Sequence, residues 1–296
     1  MDKTSLLLPL TALVILTGCG QKNAPAQKLE DITRKGENCF SCTFDGVKHG
    51  FILDLPEHTD NAPLIVMLHG YGSSAEDFRT SVEFEKDANP MGYAVTYVTG
   101  APAPDDKTSS TGWNSASEPD GNKDTDFLKA LAKHLQKEYN FDKNRTYAVG
   151  FSNGAFMTHT LAMDAADTFS ALVSVSGMMQ ENIWNRRSSS NSVSFFQITG
   201  ENDDVVPKNS DGTAKYSKAP PIEDVMSYRA NSDNAVITEN ISIGNGSVLT
   251  KYVNPDTNTQ VWDLLVKNGG HSWFGKKING FDTNELILDF FGSIEQ

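Results

Sequence analysis

The sequence predicts an α/β fold, a mostly parallel sheet with helices on both faces. Three observations carry that expectation. Short continuous apolar runs, LIVML at 64–68 and ALVSV at 171–175, suit strands buried on both faces. Amphipathic helical patterns lie between such runs. The composition, 38% apolar and 21% charged, can build a core and does not match a disordered chain.

Strands are expected over residues 50–55, 63–68, 93–98, 146–149, 171–176, 194–198, 248–253 and 260–266. Helices are expected over 124–139, 153–166, 222–230 and 283–291. The first places Phe127, Leu128, Leu131 and Leu135 on one face with charges opposite. The third follows Pro220-Pro221, and proline suits a helix start. The stretch 102–123, rich in Pro, Ser, Asp and Gly, is long for a connection, and loops of that length are often functional. Residues 182–191 (NIWNRRSSSN) read as a surface loop.

The N-terminus reads as an address and an anchor. Lys3 precedes an apolar run from Leu6 to Leu16, the length of a signal-peptide h-region and too short to span a bilayer. It ends Leu16-Thr17-Gly18-Cys19, which resembles the lipobox of bacterial lipoproteins. That resemblance implies cleavage after residue 18 and lipidation of Cys19. Gly20 in place of an Asp fits outer-membrane sorting, so the protein is expected to be exported and held at the cell envelope, or secreted. Residues 19–37 are polar without apolar period and read as a tether, leaving 38–296 as one catalytic domain. The pair Cys39 and Cys42 admits a redox motif, half a zinc site or a small disulfide loop. No second CxxC or His pair completes a zinc site, and in an exported protein a structural disulfide is the plainest expectation.

The chain has 296 residues, 25 Lys+Arg and 38 Asp+Glu, for a net charge of −13. That balance argues against a nucleic-acid partner, which requires a basic face. It also disfavours electrostatic adhesion to anionic lipid, so the membrane is expected to be reached only through Cys19.

Four motifs carry chemistry. Gly150-Phe151-Ser152-Asn153-Gly154 follows the strand TYAV and opens a helix. A sharp strand-to-helix turn exposes a nucleophilic Ser, and the helix N-terminus presents N–H groups to developing negative charge. His69-Gly70-Tyr71-Gly72 ends the strand LIVML. Loops in this place supply one oxyanion N–H, here expected from Tyr71 with Gly70 next, the other coming from Asn153. His69 is expected to be structural. Gly200-Glu201-Asn202-Asp203-Asp204-Val205-Val206-Pro207 follows SFFQI and offers three acids, Glu201, Asp203 and Asp204, to orient an imidazole. Gly269-Gly270-His271-Ser272-Trp273 follows VWDLLV, where glycines give His271 room to reach Ser152. His49, His58, His134 and His159 have no partner motif. The order Ser, acid, His is that of α/β-hydrolases.

The set LHGYG, GFSNG, ITGENDDVVP and GGHSW resembles exported α/β-hydrolases grouped as polyhydroxybutyrate depolymerase-like or feruloyl and acetyl-xylan esterases. The resemblance spans residues from about 40 to 291. Its GxxDxxVP spacing implies Asp203 as the acid beside Ser152 and His271. Ala155, Phe274 and Thr199 depart from the family pattern, none at a triad position. Trp113 and Trp273 are candidate pocket walls or packing residues. The implied activity is a serine carboxylic ester hydrolase, free of cofactor and metal, acting on feruloyl or acetyl esters of polysaccharide fragments or similar small esters. Polyhydroxybutyrate depolymerisation is the alternative within that resemblance. A peptidase of the prolyl-oligopeptidase type and a non-catalytic ligand-binding lipoprotein are the other classes weighed.

Overall fold

Leu64, Val66 and Leu68 pack into one hydrophobic layer, and Ile65 and Met67 into another. A five-residue run thus faces two cores, because successive strand side chains point to opposite faces. The computed structural model describes residues 28–102, 110–115, 123–188, 192–209 and 218–295.

Among these the strands are β1 (Glu30–Arg34), β2 (Cys39–Phe44), β3 (Val47–Asp54), β4 (Leu64–Leu68), β5 (Ala94–Val98), β6 (Ala101–Pro102), β7 (Thr111–Gly112), β8 (Thr146–Phe151), β9 (Ala171–Val175), β10 (Ser194–Gly200), β11 (Val236–Ile243), β12 (Ser247–Val253) and β13 (Gln260–Val266). The helices are α1 (Ala75–Val82), α2 (Phe84–Ala88), α3 (Lys123–Tyr139), α4 (Asn153–Asp164), α5 (Glu181–Asn185), α6 (Ile222–Ser232), α7 (Lys276–Asn279) and α8 (Thr283–Ile294).

The main sheet runs β1-β2-β3-β5-β4-β8-β9-β10-β13-β12-β11, and β6 pairs with β7 apart from it. Its centre, from β5 to β13, is parallel. Antiparallel strands extend both sides. Side chains of α3, α4 and α6 fill one layer, among them Phe127, Leu131, Phe156, Leu161 and Val225. Side chains of α1, α2 and α8 fill the other, among them Phe78, Phe84, Ile287, Phe290 and Phe291. This is the α/β architecture expected from the sequence.

Four differences have physical causes. The stretch read as a tether contains β1, whose five residues are all exposed. It is held by backbone pairing to β2, so it leaves no apolar period to read. β11 is likewise almost wholly exposed and is hidden from sequence for the same reason. The loop expected at 182–191 begins as α5, anchored by buried Ile183. Helix α1 is a further addition, although Ser74 caps it by accepting the Asp77 N–H at 3.1 Å, a Ser-x-x-Asp signature.

The disulfide expected between Cys39 and Cys42 is corrected: both thiols are free. They sit at positions i and i+3 of β2. Cα atoms so spaced lie about 10 Å apart, beyond disulfide reach. Odd spacing also sends the two side chains to opposite faces, Cys42 into one layer and Cys39 against the other. The signal segment 1–18 and Cys19 lie outside the described residues, as does most of 102–123.

Candidate active site

Ser152 stands between β8 and α4 with φ 52° and ψ −115°, a conformation that non-glycine residues rarely adopt. Tight packing enforces this turn. A Cβ on Gly150 would lie 2.1 Å from the Gly154 carbonyl oxygen, and one on Gly154 would lie 2.1 Å from the Leu68 carbonyl oxygen. The two glycines let the elbow close on itself and on β4. The Ser152 N–H donates to Val175 O at 3.0 Å, tying the turn to β9.

Ser152 Oγ lies 2.9 Å from His271 Nε2. On the far side of the ring, Nδ1 lies 2.9 Å from Asp203 Oδ2. The other Asp203 oxygen accepts the N–H groups of Val205 at 3.0 Å and Val206 at 2.8 Å. That carboxylate is buried and oriented by the backbone following it. It fixes the tautomer with the proton on Nδ1, leaving the Nε2 lone pair toward the hydroxyl. Of the two competing acids, Glu201 accepts the Asn268 N–H at 2.9 Å and Asp204 is exposed.

His69 is fully buried. Its Nε2 accepts the Gly100 N–H at 3.0 Å and its Nδ1 donates to Gly70 O at 2.6 Å. Burial holds it below the ordinary imidazole range, so it stays neutral and braces the loop. His159 is also buried, between Gln197 Oε1 at 3.1 Å and Arg229 at 3.3 Å, and burial lowers its pKa as well.

A cleft of about 860 Å³ opens over Ser152. Gly70, Tyr71, Asn153 and His271 line it, so the loop after β4, the start of α4 and the His271 loop converge on the hydroxyl. Both tryptophans singled out from sequence border it. Trp113 is buried and donates its indole N–H to His69 O at 2.9 Å. Trp273 donates to Asn284 Oδ1 at 3.0 Å. Sequence reasoning missed Phe78 and Val82 of α1 and the wall made by Phe151. Phe78 packs edge-on to Trp273 at 5.6 Å, and Phe151 packs edge-on to it at 6.4 Å. The Ser74 cap is a signal that could have found helix α1, though not its place beside the cleft. Among the departures from the family pattern, Phe274 is buried and Thr199 Oγ1 accepts from Gln197 at 2.9 Å, so both serve packing.

The arrangement can deprotonate a serine hydroxyl beside an apolar cleft, with N–H groups available at a helix start. Comparison with known proteins agrees with such a framework. A family model described as "Prolyl oligopeptidase family" matches residues 111–293. A "Putative esterase NocK" of Nocardia uniformis subsp. tsuyamanensis is 27% identical over 242 residues, 74% of this chain and 68% of that protein. A bifunctional acetylxylan esterase/xylanase of Neocallimastix patriciarum is 29% identical over 146 residues, 49% of this chain. The match spans 20% of the length of that protein. In structure, an acetyl xylan esterase from Aspergillus awamori superposes with a TM-score of 0.63 at 12% identity, over 90% of this chain and 99% of that one. That likeness is one of fold.

Proposed function

This chain belongs to the prolyl oligopeptidase family, which has the α/β-hydrolase fold, and from that premise we propose that Ser152, His271 and Asp203 form its catalytic triad for ester hydrolysis. The enzyme is an esterase with a serine-hydrolase fold. The observation carrying the triad is the continuous relay from Ser152 Oγ through His271 to Asp203, 2.9 Å at each step.

His271 Nε2 takes the Ser152 proton as Oγ attacks the ester carbonyl. The carbonyl oxygen becomes an oxyanion facing the backbone N–H groups of Asn153 and Tyr71. His271 then gives its proton to the departing alkoxide, leaving an acyl-serine. Water, deprotonated by the same nitrogen, attacks that carbonyl and releases the acid and the free hydroxyl. Asp203 stabilises the imidazolium throughout. The chemistry needs no metal or cofactor.

The substrates are feruloyl or acetyl esters of polysaccharide fragments or similar small esters. The aromatic wall of Phe78, Phe151 and Trp273 supports an aryl acyl group, since rings pack edge-on to rings. The enzyme acts outside the cytoplasm, with residues 1–18 as signal and Cys19 as lipid anchor; the sequence Leu16-Thr17-Gly18-Cys19 supports this reading. Fatty-acid labelling of the wild type, lost in Cys19→Ser, tests the anchor.

The decisive experiment compares p-nitrophenyl acetate and methyl ferulate hydrolysis by the full-length protein and by Ser152→Ala. Turnover that disappears in the variant is expected. Equal rates in the two proteins would remove the triad. Preference for a hydroxybutyrate trimer would move the substrate to a short polyester, and preference for a prolyl p-nitroanilide would make the enzyme a peptidase.

A further inference from the structure

The residue after the nucleophile has a second task, performed by its carboxamide. Asn153 Oδ1 accepts the backbone N–H of Trp113 at 2.6 Å, and Asn153 Nδ2 donates to the backbone carbonyl oxygen of Trp113 at 3.0 Å. One carboxamide thus satisfies both backbone groups of a residue 40 positions away, as a neighbouring strand would.

The segment it holds is tied in turn to the loop after β4. Trp113 donates its indole N–H to His69 O at 2.9 Å. Thr111 O accepts the Gly72 N–H at 2.8 Å. Between these, a Cβ on Gly112 would lie 3.0 Å from Asn153 Oδ1 and 3.0 Å from Tyr71 Cδ2. The bare Gly112 backbone therefore seats the Asn153 carboxamide and the Tyr71 ring side by side. The loop carries one expected oxyanion donor, the Tyr71 N–H, and α4 carries the other, the Asn153 N–H. Residues 111–113 connect the two, and the Asn153 carboxamide closes the connection.

We propose that the Asn153 carboxamide makes this a positioning residue that sets the spacing of the oxyanion hole, a role resting on the ester-hydrolase reading above. An aspartate here keeps the acceptor for the Trp113 N–H, loses the donor to its carbonyl, and adds negative charge beside the oxyanion. An alanine leaves both Trp113 groups without this partner. Misplacing a donor by a fraction of its hydrogen-bond length weakens stabilisation of the tetrahedral intermediate more than binding of the ester.

The test measures kcat and KM of the full-length protein and of Asn153→Ala, Asn153→Asp and Gly112→Ala. It adds the affinity of an aryl boronate, which forms a tetrahedral adduct on Ser152, and of the product acid, which does not. Circular dichroism and thermal unfolding identify variants that fold; Asn153→Asp, which keeps one of the two bonds, is the fold-sparing choice. Expected are kcat values about 10- to 100-fold lower with KM within about twofold, and boronate affinity falling by the same factor while product-acid affinity holds. The pH profile of Asn153→Ala, which changes no charge, should not move. A folded Asn153→Asp with unchanged kcat and boronate affinity overturns the inference alone. Loss confined to KM and to product-acid affinity overturns it too, by making Asn153 a substrate contact. A wild type that matches Ser152→Ala overturns the ester-hydrolase reading and this inference with it.

Discussion

Trp273 and Asn284 form a single unit: the indole N–H ends on Asn284 Oδ1 at 3.0 Å. The amide of the same Asn284 donates to Val82 O at 3.0 Å and to Asp87 Oδ2 at 2.9 Å. One buried residue on α8 therefore ties two walls of the cleft, Trp273 and the end of α1, to each other. Asn284→Leu should leave the Ser152 relay in place but free the indole. We expect KM for methyl ferulate to rise several-fold against a smaller change for p-nitrophenyl acetate, with stability lower by about 1–3 kcal/mol from the orphaned partners. An unchanged ratio of the two KM values would dismiss Asn284 as the keeper of the wall.

The three acids after β10 are separable by mutation. Asp203→Asn keeps an acceptor for the Val205 and Val206 N–H groups but cannot hold the imidazole in the same tautomer with an anion behind it. Its kcat should fall by about 10³–10⁴-fold while the unfolding temperature barely moves. Glu201→Gln and Asp204→Asn should stay within about twofold of wild type. A large loss in either, with Asp203→Asn active, would reassign the acid.

Asp263 in β13 supplies a pH signature. Burial pushes its carboxyl up to about 7, with Glu223 adding to the rise and Lys208 opposing it. The folded protein then keeps a proton that the unfolded one, with an ordinary pKa of 3.8, has released. Its contribution to stability is complete below the unfolded value and lost as pH rises through the folded one. Asp263→Asn does not titrate, so its unfolding temperature minus that of wild type should grow from pH 5 to pH 8. His49, His69 and His159, held low by burial, act in the opposite sense. They are common to both proteins and cancel in the difference. A flat difference would show that Asp263 is ionised throughout.

Both β2 cysteines should titrate as thiols. In Cys19→Ser protein unfolded without reductant, a thiol reagent should find two groups, and the mass should match the fully reduced polypeptide. In the folded protein Cys42 should react far more slowly than Cys39, since burial pushes its thiol up to about 11. Finding no thiol in the unfolded protein would restore the disulfide.

What is legible in the sequence follows from where each residue's partners lie. The elbow around Ser152 reads from five adjacent letters, because Gly150 meets the Gly154 backbone within the turn itself, and Gly154, pressed against Leu68 of β4, completes the same short motif. The parallel strands read from runs such as 64–68, because both of their faces are apolar. Phe78 cannot be placed by such means: it reaches the cleft only when α1 packs on the sheet beside Trp273, 195 positions along by the numbering of the two residues. The Asn153 carboxamide is equally silent, since its partner is the backbone of Trp113 and backbone leaves no letter. β1 and β11 escape because solvent surrounds their side chains. The Cys39 and Cys42 pairing fails because their spacing in the sequence suggests a small loop, whereas a strand stretches the same spacing out and turns it over.

The strand order also acts as a ruler. Ser152 leaves the end of β8 and Asp203 follows β10, with β9 between them. Strands are about 4.8 Å apart, so Asp203 starts two spacings from Ser152, out of direct hydrogen-bonding range. β13 lies beside β10 and brings His271 to Asp203 from the adjacent lane. The width of β9 admits the imidazole that touches both groups and keeps the carboxylate out of hydrogen-bonding reach of the Ser152 hydroxyl. The separation of the Ser152 hydroxyl from Asp203 is thereby written into the width of one strand, and a fold rearranged to remove β9 would bring the two together with no ring between them.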